Sequence, residues 1–209
     1  MPSPCQLTSG ITLSCRDNTA GVRRFWIFSG GTGITTGPAG IDYTSGLISV
    51  NTLLFNGGNF YLFDCFPNTT SYEEIVTDVP ENGVVAIEQN LRAILYKLSV
   101  SQRNLIRTLS GAQNLKILIE TNNYFAVTTP RSRWLLMGLE NGASLITAVG
   151  TTGTTFEDAN KYDLFFQAKE NEAAMFLNPT GNTYIALNNM INNAGGTIEI
   201  PSNANFGPV

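Results

Sequence analysis

Tyr72-Glu-Glu-Ile-Val-Thr-Asp-Val79, Pro80-Glu-Asn-Gly83 and Val84-Val-Ala-Ile-Glu-Gln-Asn-Leu-Arg-Ala-Ile-Leu-Tyr96 follow one another in the middle of the chain. The outer two stretches are rich in branched and apolar residues, and the Asn82-Gly83 pair between them supplies positive φ at little cost. This predicts a long hairpin. The second arm is ambiguous by periodicity alone: Val85, Ile87, Leu91, Ala93 and Leu95 fit one face of a strand, with Gln89 as the exception. Ile87, Leu91, Ile94, Leu95 and Leu98 equally fit a helical stripe.

Outward from this segment, strand signals dominate. Leu47 to Phe55 and Phe60 to Phe66 flank Asn56-Gly-Gly-Asn59, which predicts a tight hairpin. Lys116 to Glu120 with Tyr124 to Thr128, and Arg133 to Leu139 with Ala143 to Val149, predict two more, and Lys161 to Lys169 alternates as a last strand. One helix is expected after Ser99-Val-Ser-Gln102, a capping box, with Leu105, Ile106 and Leu109 as its apolar face and Gly111 as a left-handed cap. The fold class is therefore mainly β, with a single flanking helix. Ser29 to Gly46 holds six glycines and reads as a loop or arm.

Composition restricts the chemistry. The chain has 209 residues and no histidine, so Ser-His-Asp and Cys-His nucleophile systems and His-containing zinc or iron sites are ruled out within one chain. No calcium loop, P-loop or dinucleotide fingerprint occurs, and no cofactor is expected. Glu73-Glu74 and Glu157-Asp158 are adjacent carboxylates, but neighbours on a strand point to opposite faces and do not form a catalytic pair. A non-enzymatic role follows. Cys5, Cys15 and Cys65 are odd in number and irregularly spaced, which predicts free thiols from a reducing cytoplasm. Trp26 and Trp134 lie in apolar strands and are expected in the core. No stretch approaches the roughly 20 apolar residues that cross a bilayer.

Charged residues reach only 13% against the ~25% of typical soluble domains, so other subunits are expected to cover part of the surface. The charges fall in blocks. Phe25 to Leu91 has no Lys or Arg and seven acids, whereas Arg92 to Arg133 has seven bases and one acid. Such a bipolar subunit can dock acidic to basic surfaces, or present acids to a polyanion that must not adhere.

The order of several segments resembles that of tail tube, or major tail, proteins of long-tailed bacteriophages. These are Leu13-Ser-Cys-Arg-Asp-Asn-Thr-Ala-Gly-Val22, Glu81-Asn-Gly83, Val85 to Leu98, Ser101-Gln-Arg-Asn-Leu-Ile-Arg107, Trp134-Leu-Leu-Met-Gly138, Asn141-Gly142, Gly150-Thr-Thr-Gly153 and Asp158-Ala-Asn-Lys-Tyr-Asp-Leu-Phe-Phe166. The resemblance implies a β-sandwich or open barrel with a flanking helix over residues 1–177, and a C-terminal extension over 178–209. It makes Val84 to Tyr96 a strand. It further implies a virion structural protein made in the host bacterial cytoplasm. Its copies would join sheets into stacked, hexameric rings around a conduit, contacting other tail proteins and letting DNA pass without specific binding, with no membrane involved. The channel wall would carry Glu74, Asp78 and Glu88, with Glu73 as a further member, and Arg92, Lys97, Arg103 and Arg107 would form a basic face between subunits. A different ring protein at a tail end, a strand-rich adhesion or glycan-binding module and a carboxylate-dependent glycosidase are the alternative readings.

Overall fold

The computed structural model describes residues 20–29, 34–36, 47–49, 53–55, 58–79, 84–122, 134–178 and 196–199. Its strands are β1 (Val22–Ser29), β2 (Ile34–Thr36), β3 (Leu47–Ser49), β4 (Leu53–Phe55), β5 (Gly58–Asp64), β6 (Ser71–Val79), β7 (Val84–Tyr96), β8 (Lys116–Thr121), β9 (Trp134–Met137), β10 (Ala143–Thr151), β11 (Lys161–Glu170), β12 (Met175–Asn178) and β13 (Gly196–Ile198), with one helix, α1 (Val100–Gly111). The fold is mainly β, as expected.

Two sheets carry the architecture. A seven-stranded sheet runs β13-β5-β1-β8-β9-β12-β3, and a four-stranded one runs β10-β11-β7-β6. Between them lies a core of Phe25, Ile27, Ile117, Ile119, Leu91, Ala93, Leu164 and Phe166, with Leu105, Ile106 and Leu109 of α1 packed against it. Strand alternation sends the remaining large residues of β1, β8 and β9 to the other face of the seven-stranded sheet. There Trp26 and Trp134 meet with ring centroids 5.1 Å apart, and Phe60, Leu118 and Leu136 are fully buried beside them. Trp26 Nε1 donates to the carbonyl of Glu199 at 2.8 Å. Part of the expected C-terminal extension thus completes the sheet: β13 pairs in parallel with β5, and the Glu199 carboxylate accepts from Leu62 N at 2.7 Å.

The long hairpin forms as read, with Val79 opposite Val84 and the ladder extending to Ser71 opposite Arg92. Val84 to Tyr96 is a strand, and the helical stripe has no counterpart. Gln89, the polar exception, is 2% exposed because its two ends hold other segments. Its Oε1 accepts from Gly138 N at 3.0 Å, and its Nε2 donates to the carbonyl of Glu172 at 3.2 Å. Ser99 Oγ caps α1 by accepting from Gln102 N at 3.2 Å. The helix ends differently from the reading: Ala112 is the extended C-cap and Gly111 the last helical residue.

Two expected hairpins are corrected. β4 pairs with β2, whereas β5 lies between β13 and β1, so no pairing joins the strands on either side of Asn56 to Asn59. β9 and β10 belong to different sheets; Gly138 to Gly142 is a corner between layers. A turn signal reports a reversal and is silent on whether the strands beside it pair. Tyr124 to Thr128 lies outside the described residues, and β8 has β1 and β9 on its two edges.

The corner is held by a buried carboxylate. Glu170, 4% exposed, accepts from the backbone N–H groups of Glu140, Asn141 and Gly142 at 3.1 to 3.2 Å. The Lys116 ammonium donates to the carbonyl of Glu140 at 3.2 Å; burial draws its pKa down, opposed by the charges of Glu170 and Glu140. Two glycines are required. Gly138 and Gly142 have φ of +73° and +82°, and a Cβ on Gly142 would lie 2.4 Å from Asn114 Cα. Glu170→Ala strands three backbone donors and removes the larger of the two carboxylate charges acting on the buried Lys116 ammonium, so a loss of roughly 3 kcal/mol is expected in urea unfolding. Glu170→Gln, which keeps the shape and one acceptor, should cost less. A loss below about 1 kcal/mol for the alanine variant would show that this carboxylate does not hold the corner.

Candidate functional site

Cross-strand partners in an antiparallel ladder share a face, so the register of the four-stranded sheet assigns each charged residue. One face turns to the core through Leu91, Ala93, Leu164, Phe166 and Ala168. The other is open. Glu74 stands opposite Gln89, on the core-side face, whereas Glu88 stands opposite Ile75 and Glu73 opposite Asn90, on the open face; Asp78 is in register with Val85. The expected grouping of Glu74, Asp78 and Glu88 in one wall is therefore corrected: the ladder divides them between faces.

These acids also have structural duties. Glu74 Oε1 accepts from Tyr72 Oη at 2.6 Å and from Ala174 N at 2.7 Å, fastening the segment between β11 and β12 to β6. Burial, then the Glu74 carboxylate, drives the Tyr72 hydroxyl pKa up. Glu88 pairs with Lys169 at 3.0 Å. The residues of the expected basic face come from β7, the end of β7 and α1. Arg92 Nε donates to both carboxylate oxygens of Asp163, at 3.0 and 3.2 Å, on the open face of the sheet. That hydrogen bonding holds the Asp163 carboxyl below its ordinary value. Lys97 ends β7 in a left-handed conformation, φ 71°, its N–H donating to the carbonyl of Asn160 at 2.9 Å. Arg103 and Arg107 lie on the exposed flank of α1.

The open face carries three acids, Glu73, Glu88 and Asp163, and three bases, Arg92, Lys161 and Lys169, by register. Its net charge is zero. Both bounding strands are edges among the described residues: β6 pairs only with β7, and β10 has β11 as its single partner strand. Residues 73 to 77 and 146 to 151 are exposed. β10 has no charged residue, and Ile146 and Val149 project from it at 57% and 53% exposure. Long, uncharged, apolar edges adhere to other strands unless something covers them.

Sequence reading missed the loop that joins β10 to β11. The Asp158 carboxylate accepts from Thr154 N at 2.8 Å, Thr155 N at 3.0 Å and Thr154 Oγ1 at 3.1 Å. Gly153 has φ +75°, and a Cβ there would lie 2.3 Å from Asp158 Cβ. At the tip Phe156 is fully exposed. The signal was available as a glycine and an aspartate bracketing Thr-Thr-Phe-Glu.

A second concavity, about 380 Å³, is lined by Arg23, Arg24, Asp64, Cys65, Phe66, Pro67 and Asn122. Arg24 is buried, with Nε 3.3 Å from Asp64 and 3.4 Å from Glu120. Cys65 is a free thiol whose pKa burial pushes up to about 11, which makes it a poor nucleophile at neutral pH. Cys5 and Cys15 lie outside the described residues. Among the described residues no group of His, Cys, Asp and Glu could hold a metal ion, and no helix is long and apolar enough to cross a membrane.

The chain matches no protein-family model, no curated protein and no solved structure.

The Asp158 loop gives a pH signature. Backbone hydrogen bonds from Thr154 and Thr155 draw the Asp158 pKa from 3.8 to about 2, so this stabilisation is complete above the unfolded value and is lost as pH falls through the folded one. Titrating the Asp158 carboxyl by NMR should give a midpoint near 2, with the Thr154 and Thr155 amide shifts moving in step. A midpoint at 3.8 would show that these amides do not hold it.

Proposed function

We propose that this chain is a structural subunit of the tail-tube kind. Copies close into rings by joining their four-stranded sheets edge to edge, with the open face lining a bore through which duplex DNA passes. The observation that carries this reading is the pair of edges, β6 and β10, that no strand among the described residues pairs with. In the order β10-β11-β7-β6 every neighbour is antiparallel, so the two outer strands run in opposite directions. Rotating a copy about a ring axis then brings its β10 antiparallel to β6 of the next copy, the favourable hairpin-like arrangement. Such a head-to-tail contact generates a ring when the rotation closes. The uncharged β10 edge makes the exposed apolar residues intelligible as a junction.

The wall of this bore is charge-balanced, which modifies the acidic conduit expected from the sequence. A DNA duplex presents about one charge per 1.7 Å and adheres to free cations. On the open face Arg92 is clasped by Asp163 and Lys169 by Glu88, while Lys161 acts electrostatically on Asp163. A wall whose cations are already neutralised lets the phosphates pass. A glycan-binding module would gather aromatics in a cleft, whereas the exposed Tyr61, Phe66, Phe156 and Phe176 lie on separate elements.

Mass photometry and negative-stain microscopy of the purified protein should show rings. Ile146→Lys combined with Val149→Lys puts two charges on the junction and should yield folded monomers, unchanged in circular dichroism. Rings that persist in this variant would exclude β10 as the junction, and a strictly monomeric unsubstituted protein at every concentration would sink the ring reading.

The wall is tested separately. Assembled wild-type protein should not retain duplex DNA at ~0.1 M salt. Glu88→Gln with Asp163→Asn releases Lys169 and Arg92, and these assemblies should retain DNA with a steep salt dependence. Equal retention by both proteins would show that the open face does not meet DNA.

A further inference from the structure

The concavity beside the start of β1 is shaped by an irregularity in the ladder. Val22 and Arg24 face Thr121 and Glu120, two consecutive residues of β8, so Arg23 is an extra residue on β1. Such a bulge re-aims side chains away from the directions that alternation gives them. Neighbours on a regular strand point to opposite faces, yet Arg23 and Arg24 both line this one concavity.

The two guanidinium groups differ in their surroundings. Arg24 is 3% exposed and lies between Asp64 and Glu120, its Nε 3.3 and 3.4 Å from them. Two carboxylates on one guanidinium leave a negative charge in surplus. Of the two, Glu120 is fully buried, whereas the Asp64 side chain is 60% exposed and lines the concavity. Arg23 is exposed, and among the described residues no ion pair or side-chain hydrogen bond engages it. The concavity therefore presents one unmatched positive group and one unmatched negative group. Its apolar side is the ring of Phe66, held edge-on against Tyr96 with centroids 5.2 Å apart, together with the Cys65 thiol, which burial keeps protonated at neutral pH. At about 380 Å³ it sits at the small end of ligand sites, roughly 300 to 1,000 Å³, which suits a single amino acid better than a nucleotide or an oligosaccharide.

We infer that this concavity binds a small zwitterion, an α-amino acid with an aromatic side chain, its carboxylate on Arg23, its ammonium on Asp64 and its ring against Phe66. A simple anion would match Arg23 but meet the surplus carboxylate, and a simple cation would do the reverse. Only a ligand carrying both charges satisfies the two. A guanidinium can clasp a carboxylate through two parallel hydrogen bonds, and an aromatic pair adds to the burial of the rings. The site does not rest on the ring reading: it belongs to the seven-stranded sheet, whereas the proposed junction uses β6 and β10 of the other.

Calorimetric titration of the purified full chain tests this, with L-phenylalanine as the probe and 3-phenylpropionate, phenethylamine and inorganic phosphate as ligands of one charge sign. L-phenylalanine should bind saturably in a one-to-one ratio. Phenylpropionate and phenethylamine should each bind about tenfold more weakly, the loss of one charge-assisted hydrogen bond. Arg23→Ala changes an exposed side chain and should leave circular dichroism unaltered while reducing the affinity for L-phenylalanine to that for phenethylamine. Asp64→Asn should reduce it to that for phenylpropionate. No saturable binding of L-phenylalanine up to ~10 mM, binding of phosphate or phenylpropionate as tight as that of L-phenylalanine, or an unchanged affinity in folded Arg23→Ala would overturn the assignment.

Discussion

The structure turns on how the chain passes from one sheet to the other. Gly138 to Gly142 crosses between layers, and a crossing exposes backbone donors that neither ladder can satisfy. Glu170 accepts from three of them and Gln89 from a fourth, both projecting from the four-stranded sheet. That arrangement buries polar groups at the sandwich margin, which is tolerable only because each has a partner. It also orients the four-stranded sheet: with Gln89 and Glu170 turned to the corner, Glu88 and Lys169 must turn the other way. The charge pattern of the open face follows from the corner by alternation alone.

Much of the fold was legible because its signals are local. Asn82-Gly83 and the alternation beside it read correctly as a hairpin, Ser99 as a helix cap, and Lys161 to Lys169 as a strand whose even-numbered residues enter the core. Trp26 and Trp134 read correctly as core residues. What failed was partnership. Glu140-Asn-Gly142 does mark a change of direction, whereas Gly58 and Asn59 belong to β5 itself, and the partners of the strands beside these signals are set by burial far away in the chain, as when β5 pairs with β1 and β13. Gln89 looked like a flaw in an apolar stripe because its partners, Gly138 and Glu172, are 49 and 83 residues away.

The candidate surface was legible in composition and not in arrangement. Charge blocks along the sequence marked a bipolar subunit, yet a block on a strand splits between two faces with every step. Whether Glu74 and Glu88 cooperate depends on the register of β6 against β7, which no single strand encodes. In the proposed reading the weight shifts accordingly from the acids to the uncharged edge of β10. Low charge gains a physical meaning there under that proposal, because an edge that receives a strand cannot carry the lysines that keep other edges apart.

The two sheets differ in how much chain must be gathered to make them. β6 with β7 and β10 with β11 are near neighbours in sequence, so each ribbon closes over a short loop. The seven-stranded sheet instead mixes strands from Val22 to Ile198, and the indole of Trp26 waits for a carbonyl 173 residues downstream. Contacts over such spans form late, because the entropy of the intervening chain is lost before they repay it. The core between the sheets is complete in sequence by Ala174, so a chain still short of Gly196 can close the sandwich but lacks the strand that covers the far edge of β5 and the carbonyl that Trp26 meets. The last described strand is therefore a seal on the rim of the larger sheet, added to a core that does not depend on it.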